Sequence, residues 1–240
     1  MLLGRLGCMQ NAETARTRRY TVVSHWDPVE VTLDIRRSEF IGMLRRVETE
    51  DAARTWIDQV RGAHHAATHV VPAFVLGPDR DIQRSSDDGE PAGTAGMPML
   101  QALTNFRAVH GGQEYADLSD VCAIVVRYFG GVKLGAGGLV RAYSDTVVAA
   151  LEQAPLRVRQ RMVHVAIQAP HGEVGRVENE LRSADFTVLG TDYAGPHATL
   201  TVGLDDADDA VEHFNARLAS MTAGELVAEP VGKQWEDNAS

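Results

Sequence analysis

One stretch constrains the fold of this chain more than any other: Val121 to Tyr143, VCAIVVRYFGGVKLGAGGLVRAY. It opens with an unbroken apolar run, Val121-Cys122-Ala123-Ile124-Val125-Val126, the pattern of a strand buried on both faces. It then breaks into Gly130-Gly131-Val132-Lys133-Leu134-Gly135-Ala136-Gly137-Gly138, with five glycines in nine positions. Apolar residues resume at helical spacing with Leu139, Ala142, Tyr143, Thr146, Val147, Ala150 and Leu151. A buried strand therefore delivers a glycine-rich loop to the start of a helix. Such a junction turns backbone N–H groups and the positive helix end toward one small volume, where an anion is stabilised. Arg127, Lys133 and Arg141 add cations nearby. The same glycines also suit a purely structural role, making turns and letting a helix pack closely on a sheet. No Gly-Lys-Ser/Thr closes the loop, so it is not a P-loop. The dinucleotide-binding spacing and its acidic residue after the next strand are missing too.

A second motif lies upstream, Ser86-Asp87-Asp88-Gly89-Glu90-Pro91-Ala92-Gly93-Thr94-Ala95-Gly96. Asp87, Asp88 and Glu90 put three carboxylates into four positions, with Gly89 and Pro91 setting a turn. Ionised together they repel, so something must compensate. Arg127 or Arg141 is the natural partner, and the two motifs would then face each other in one cleft. A divalent cation is the competing explanation, but the spacing matches no defined calcium loop. A structural salt-bridge network and a ligand-binding cleft both fit the pattern.

The pair SDDGEPAGTAG and VVRYFGGVKLGAGGLVRAY resembles the YigZ/IMPACT family, and the resemblance runs from about Val29 to the C-terminus. It implies an N-terminal domain similar to the second domain of ribosomal protein S5. It also implies a C-terminal ferredoxin-like domain similar to a late domain of elongation factor G. Both likenesses suggest surfaces that face the ribosome or RNA, although a fold does not by itself set a function. Eukaryotic relatives resembling the first domain regulate translational control through a protein partner, but they carry a different additional domain. The family usually has a cysteine at the second position after His69. Here that position is Val71, which argues against Cys-His nucleophilic chemistry.

Taken in order, residues 1–19 lack periodicity and read as a loose tail. Two domains follow, 20–154 and 155–240, hinged at Pro155. In the first, Val29 to Ile35 alternates as a half-buried strand and a second strand spans Phe40 to Val47. Thr49 caps a helix to Arg61 with Ala52, Ala53, Trp56, Ile57 and Val60 on one face. His69 to Leu76 is a strand and Thr94 to Phe106 a helix; the Val121 strand and a helix ending near Gln153 complete the domain. This predicts three to four strands with helices on one side, an α+β module. The second domain reads βαββαβ, the ferredoxin-like plan, with Asp206 as the cap of its second helix.

Other candidates are weaker. His64, His65 and His69 sit where a helix hands over to a strand, so their side chains need not converge on a metal. Cys122 lies in the buried run and reads as packing. With Cys8 as the only other cysteine, no disulfide framework or cysteine-based zinc site can be built. Tyr128-Phe129, just before the glycine loop, would stack on a nucleobase if exposed. No GxSxG elbow suggests a hydrolase.

The net charge is −10, which argues against a general nucleic-acid-coating role. However, residues 151–240 carry −8 of it and residues 1–150 only −2, leaving room for a local basic face in the first domain. The apolar segment before Cys8 is too short for a signal peptide, and no run reaches transmembrane length. The expected compartment is the reducing cytoplasm.

The expectation is a translation-associated protein that binds RNA, the ribosome or a ribosome-associated protein. Its anion-receptive cleft comprises Arg127, Tyr128, Gly130, Gly131, Lys133, Gly135, Gly137, Gly138 and Arg141, oriented by Asp87, Asp88, Glu90 and Thr94. No catalytic residue, metal ligand, cofactor or membrane association is assigned. The alternative is a nucleotide- or small-molecule-binding enzyme using the same loop. It rests on analogy with small-metabolite kinases of the same topology class.

Overall fold

The computed structural model of the protein describes residues 15–238. The expected tail at 1–19 falls mostly outside the described residues, as does Cys8. The fold is mixed α+β, and the described residues divide into two compact units, Arg19–Arg159 with Asn238, and Gln160–Asp237 with residues 15–18, the chain passing between them within one long strand.

In the first unit the main sheet runs β2 (Val29–Ile35), β3 (Ser38–Arg46), β8 (Val121–Tyr128), β4 (His69–Leu76) and β5 (Ile82–Ser85), in that spatial order. Each adjacent pair is antiparallel. The apolar run at 121–126 forms the centre of this sheet, and its alternation explains the layers. Val121, Ala123 and Val125 face one core with Phe40, Leu44, Val71, Val75 and residues of two helices, α2 (Gly96–Asn105) and α3 (Ala136–Gln153). Cys122, Ile124 and Val126 face the other, with Met43, Phe74 and the Trp56, Ile57 and Val60 face of α1 (Glu50–Ala63). Helices thus cover both faces of the sheet, not one as expected. An unbroken apolar strand leaves no face for water, and each fully buried side chain of this size contributes about 1.5–3 kcal/mol.

Helix α1 starts as the sequence predicts, with Thr49 Oγ1 accepting a hydrogen bond from Ala52 N at 3.1 Å. Helix α2 starts two residues later than expected, at Gly96. Three strands of this unit have too short or too polar a signature to be legible: β5, exposed along its length, and the small hairpin of β6 (Ala108–His110) and β7 (Gln113–Tyr115). A fourth, β1 (Arg19–Val23), carries Tyr20, whose hydroxyl donates to buried Asp120 at 2.6 Å.

The hairpin joining β2 to β3 is closed by two residues, Arg36 and Arg37, between the paired Ile35 and Ser38. Both have positive φ, 50° and 71°. Two-residue hairpins of this hand favour Asn-Gly, because a larger L-residue costs roughly 1–2 kcal/mol there. The turn also abuts the glycine loop: a methyl group at Gly130 would overlap the Arg37 carbonyl, so only glycine fits.

The second unit follows the order β9 (Leu156–Ala169), α4 (Val174–Ser183), β10 (Thr187–Asp192), β11 (Ala198–Asp205), α5 (Ala210–Met221) and β12 (Ala228–Asp237). Strand β9 lies between β12 and β11, and β10 forms the edge beyond β11. The core gathers Val165, Ile167, Leu200 and Val202 from the sheet with Val177, Leu181, Phe214 and Leu218 from the helices. Asp206 does not cap α5, which begins at Ala210. Its carboxylate is buried between Arg161 at 2.6 Å and Lys233 at 2.7 Å. Two cations within contact distance outweigh one helix cap, and α5 has no side-chain cap at its start.

Candidate functional site

The three carboxylates of the acidic motif, adjacent in sequence, part company in space. Asp87 turns toward the start of α2 and accepts hydrogen bonds from Gly93 N at 2.7 Å, Ala95 N at 3.1 Å and Gly96 N at 2.8 Å. Partial burial pushes its pKa up, but the three amides outweigh that and hold it below the ordinary carboxylate value. Asp88, at φ 46°, accepts from Val70 N at 2.7 Å and pairs with Arg61 at 3.0 Å. Its carbonyl accepts from His69 Nδ1 at 2.7 Å, which places that ring's proton on Nδ1. Thr94 closes the loop by donating to the Pro91 carbonyl at 2.6 Å.

Glu90 alone reaches the second motif. Its Oε1 accepts from Arg127 at 2.5 Å and from the Tyr143 hydroxyl at 2.8 Å. His69 Nε2 lies 3.8 Å from the same oxygen. Burial, then the adjacent Glu90 carboxylate, pushes the Tyr143 phenol pKa up, so the hydroxyl keeps its proton and donates. The Arg127 guanidinium also approaches Ser38 Oγ at 3.4 Å and stands 5.3 Å from the Phe40 ring centroid and 5.4 Å from that of Phe129. The signature motifs therefore meet through one buried ion pair. Arg141 takes no part in it. The repulsion expected among the carboxylates is resolved by separate partners, not by one shared cation.

Beyond this pair the glycine loop is open to solvent. Gly131 and Gly135 have φ of 88° and 72°, and Gly135 caps α3 without a side-chain hydrogen bond. Gly137 has open space where a Cβ would stand. Gly138 is crowded instead, because a Cβ there would approach the Leu134 side chain at 2.9 Å. Lys133 and Arg141 are exposed and form no ion pair among the described residues. Tyr128 is half-buried, with its hydroxyl 2.9 Å from His64 Nδ1. Phe129 is the outward member of the aromatic pair, 45% exposed, its backbone N held by Thr68 Oγ1 at 3.0 Å.

Two cations of this face escape sequence reasoning. Arg36 and Arg37 are exposed at the hairpin turn that abuts Gly130, and neither forms an ion pair among the described residues. The available signal was the Arg-Arg pair between two alternating strand segments, where a two-residue turn belongs. The histidines do not converge: no group of three or more His, Cys, Asp or Glu side chains among the described residues is arranged to hold a metal ion. Burial pushes the Cys122 thiol pKa far up, which makes it a packing residue. No helix among the described residues is long and apolar enough to cross a membrane.

Comparison with known proteins places this geometry in a family. Residues 36–151 match the Impact N-terminal domain, and residues 167–225 match a domain of unknown function, DUF1949. Over 201 residues the chain is 36% identical to IMPACT family member YigZ of Escherichia coli (strain K12), covering 83% of this chain and 92% of that protein. It is 42% identical over 160 residues to IMPACT family member YvyE of Bacillus subtilis (strain 168), covering 67% of this chain and 69% of that protein. A crystal structure described as that of a hypothetical protein superposes with a TM-score of 0.56 at 33% identity, over 88% of this chain and 97% of that one. On the strength of both domain matches and these relatives, the chain belongs to the IMPACT family.

Proposed function

We propose that this protein is a translation-associated, non-enzymatic protein of the cytoplasm that binds RNA, alone or on the ribosome, through the open face of its first unit. The observation that carries this reading is the exposure of Lys133 and Arg141 beside the start of α3, which has no side-chain cap, with no internal anion paired to either among the described residues. Exposed cations beside a helix start without a side-chain cap suit a phosphate chain that lies along the surface. Exposed Phe129, backed by the Arg127 guanidinium, adds a ring on which a base can stack. Glu90 and Tyr143 serve this face from beneath by fixing Arg127.

The reading extends to the fold. We take the first unit as similar to the second domain of ribosomal protein S5 and the second unit as ferredoxin-like. The latter is supported by the βαββαβ order and by a sheet in which the first and third strands of the unit are neighbours.

The test is co-sedimentation of the full chain with ribosomes and with total RNA across a salt series. Binding should weaken as salt rises, and Lys133→Ala with Arg141→Ala should reduce it and flatten its salt dependence. Absence of binding at low salt would overturn the reading.

A further inference from the structure

The β2–β3 turn has a composition that its own geometry disfavours. Both of its residues lie in the left-handed region, where Asn-Gly would fit without strain, yet both are arginines. Neither side chain is buried and neither pairs with a carboxylate among the described residues. The backbone of the same turn packs so closely on Gly130 that no other residue fits there. The turn is thereby locked against the entrance of the glycine loop, next to Phe129. Lys133 lies three residues farther along that loop.

We propose that Arg36 and Arg37 form a phosphate-binding clasp for a single-stranded RNA segment, with one unpaired base stacked on Phe129. This rests on the RNA-binding reading above and names the form of RNA. The single-stranded form follows from Phe129: a base can cover an exposed ring on an open face only when it is free of its own stack and partner. The positive-φ backbone projects two adjacent guanidiniums from one tight turn. Consecutive phosphates of an extended strand offer matching acceptors, and arginine recognises phosphate in a bidentate manner. Binding at this turn explains why a strained arginine pair occupies a position where a relaxed turn was available.

The test uses fluorescence anisotropy of the full chain with a labelled oligouridylate and with a duplex RNA of the same length. Arg36→Asn with Arg37→Gly relieves the turn, so the melting temperature should hold or rise. Affinity for the oligouridylate should fall about tenfold or more, with the salt slope reduced by roughly one to two. Arg36→Lys with Arg37→Lys should recover part of the affinity. If the Asn-Gly variant binds like the parent while Lys133→Ala is weakened, the clasp is overturned and the RNA reading stands. If the parent itself binds neither RNA, both fall. Tighter binding of the duplex would overturn the single-stranded assignment. A fall in melting temperature for the Asn-Gly variant would show that the arginines serve the fold.

Discussion

Glu90 and Arg127 meet at 2.5 Å with side chains only 4% and 6% exposed, although 37 positions separate them in sequence. This contact is where the two signature motifs become one structure. The Arg127 guanidinium touches the ring environments of Phe40 and Phe129, while the Glu90 oxygen also accepts from Tyr143 on α3. A central strand, an acidic loop and the helix behind the glycine loop therefore share one fixed point.

Removing one partner of this pair should be far worse than removing both. Glu90→Gln leaves a buried guanidinium without its counter-charge, a change that costs about 3–5 kcal/mol in comparable sites. Replacing both with apolar residues, Glu90→Leu with Arg127→Met, should recover much of that loss. Urea unfolding of the full chain and its variants measures both. A double variant no more stable than Glu90→Gln would mean that the pair does more than satisfy its own charges.

Asp87 gives the fold a defined response to acid. Its folded pKa lies below the ordinary value because three backbone amides donate to the carboxylate. A depressed carboxylate stabilises the fold above its unfolded pKa, about 3.9, and this contribution is lost as pH falls through the lower folded value. Asp87→Asn keeps one acceptor oxygen but loses the charge, so it should cost about 1 kcal/mol at neutral pH, the scale of weakened hydrogen bonds to a charged group. The difference from the parent should shrink near pH 3. Thermal melts at pH 7 and pH 3 check the sign, and a gap of equal size at both would count against it.

Two glycines of the same loop should respond in opposite ways. A Cβ at Gly130 would overlap the Arg37 backbone, so Gly130→Ala must displace the hairpin and should cost about 3 kcal/mol or more. At Gly137 the space is open and the backbone already helical, so Gly137→Ala should be neutral or stabilise by up to about 1 kcal/mol. Melting temperatures of the two variants separate a glycine required by close packing from one that is not.

The contrast between these glycines shows where sequence reading succeeds and stops. The buried strand at 121–126, the Thr49 cap and the helix ending at Gln153 were legible because each depends on local pattern. The cover on both faces of the sheet was implied by the unbroken apolar run, yet the side taken by each helix is a tertiary matter. Asp206 illustrates the harder case: a good cap sequence was overridden by Arg161 and Lys233, which are distant in the chain. Likewise Glu90 chose Arg127 over Arg141 because β8 points the former inward, while Arg141 sits on the exposed side of α3. The Arg36–Arg37 turn went unread because its residues lack turn propensity, leaving only its place between two strand segments as a signal, and its positive φ values emerge only from the structure.

The aromatic pair permits the most direct separation of fold from binding. Tyr128 ends β8 and is half-buried, whereas Phe129, the first residue beyond the strand, is exposed. If a base stacks there, Phe129→Leu removes about 1–3 kcal/mol of binding, roughly a five- to 150-fold loss of affinity for single-stranded RNA. It should change the melting temperature little, since the ring is already half in solvent. Tyr128→Phe removes only the hydrogen bond to His64, so it should leave RNA affinity at the parental level and lower stability by about 1 kcal/mol. Anisotropy and thermal melts of the two variants, run side by side, form a crossed pattern under this reading. Equal affinities for both variants would mean that Phe129 is not a stacking platform, and the face would then bind through charge alone.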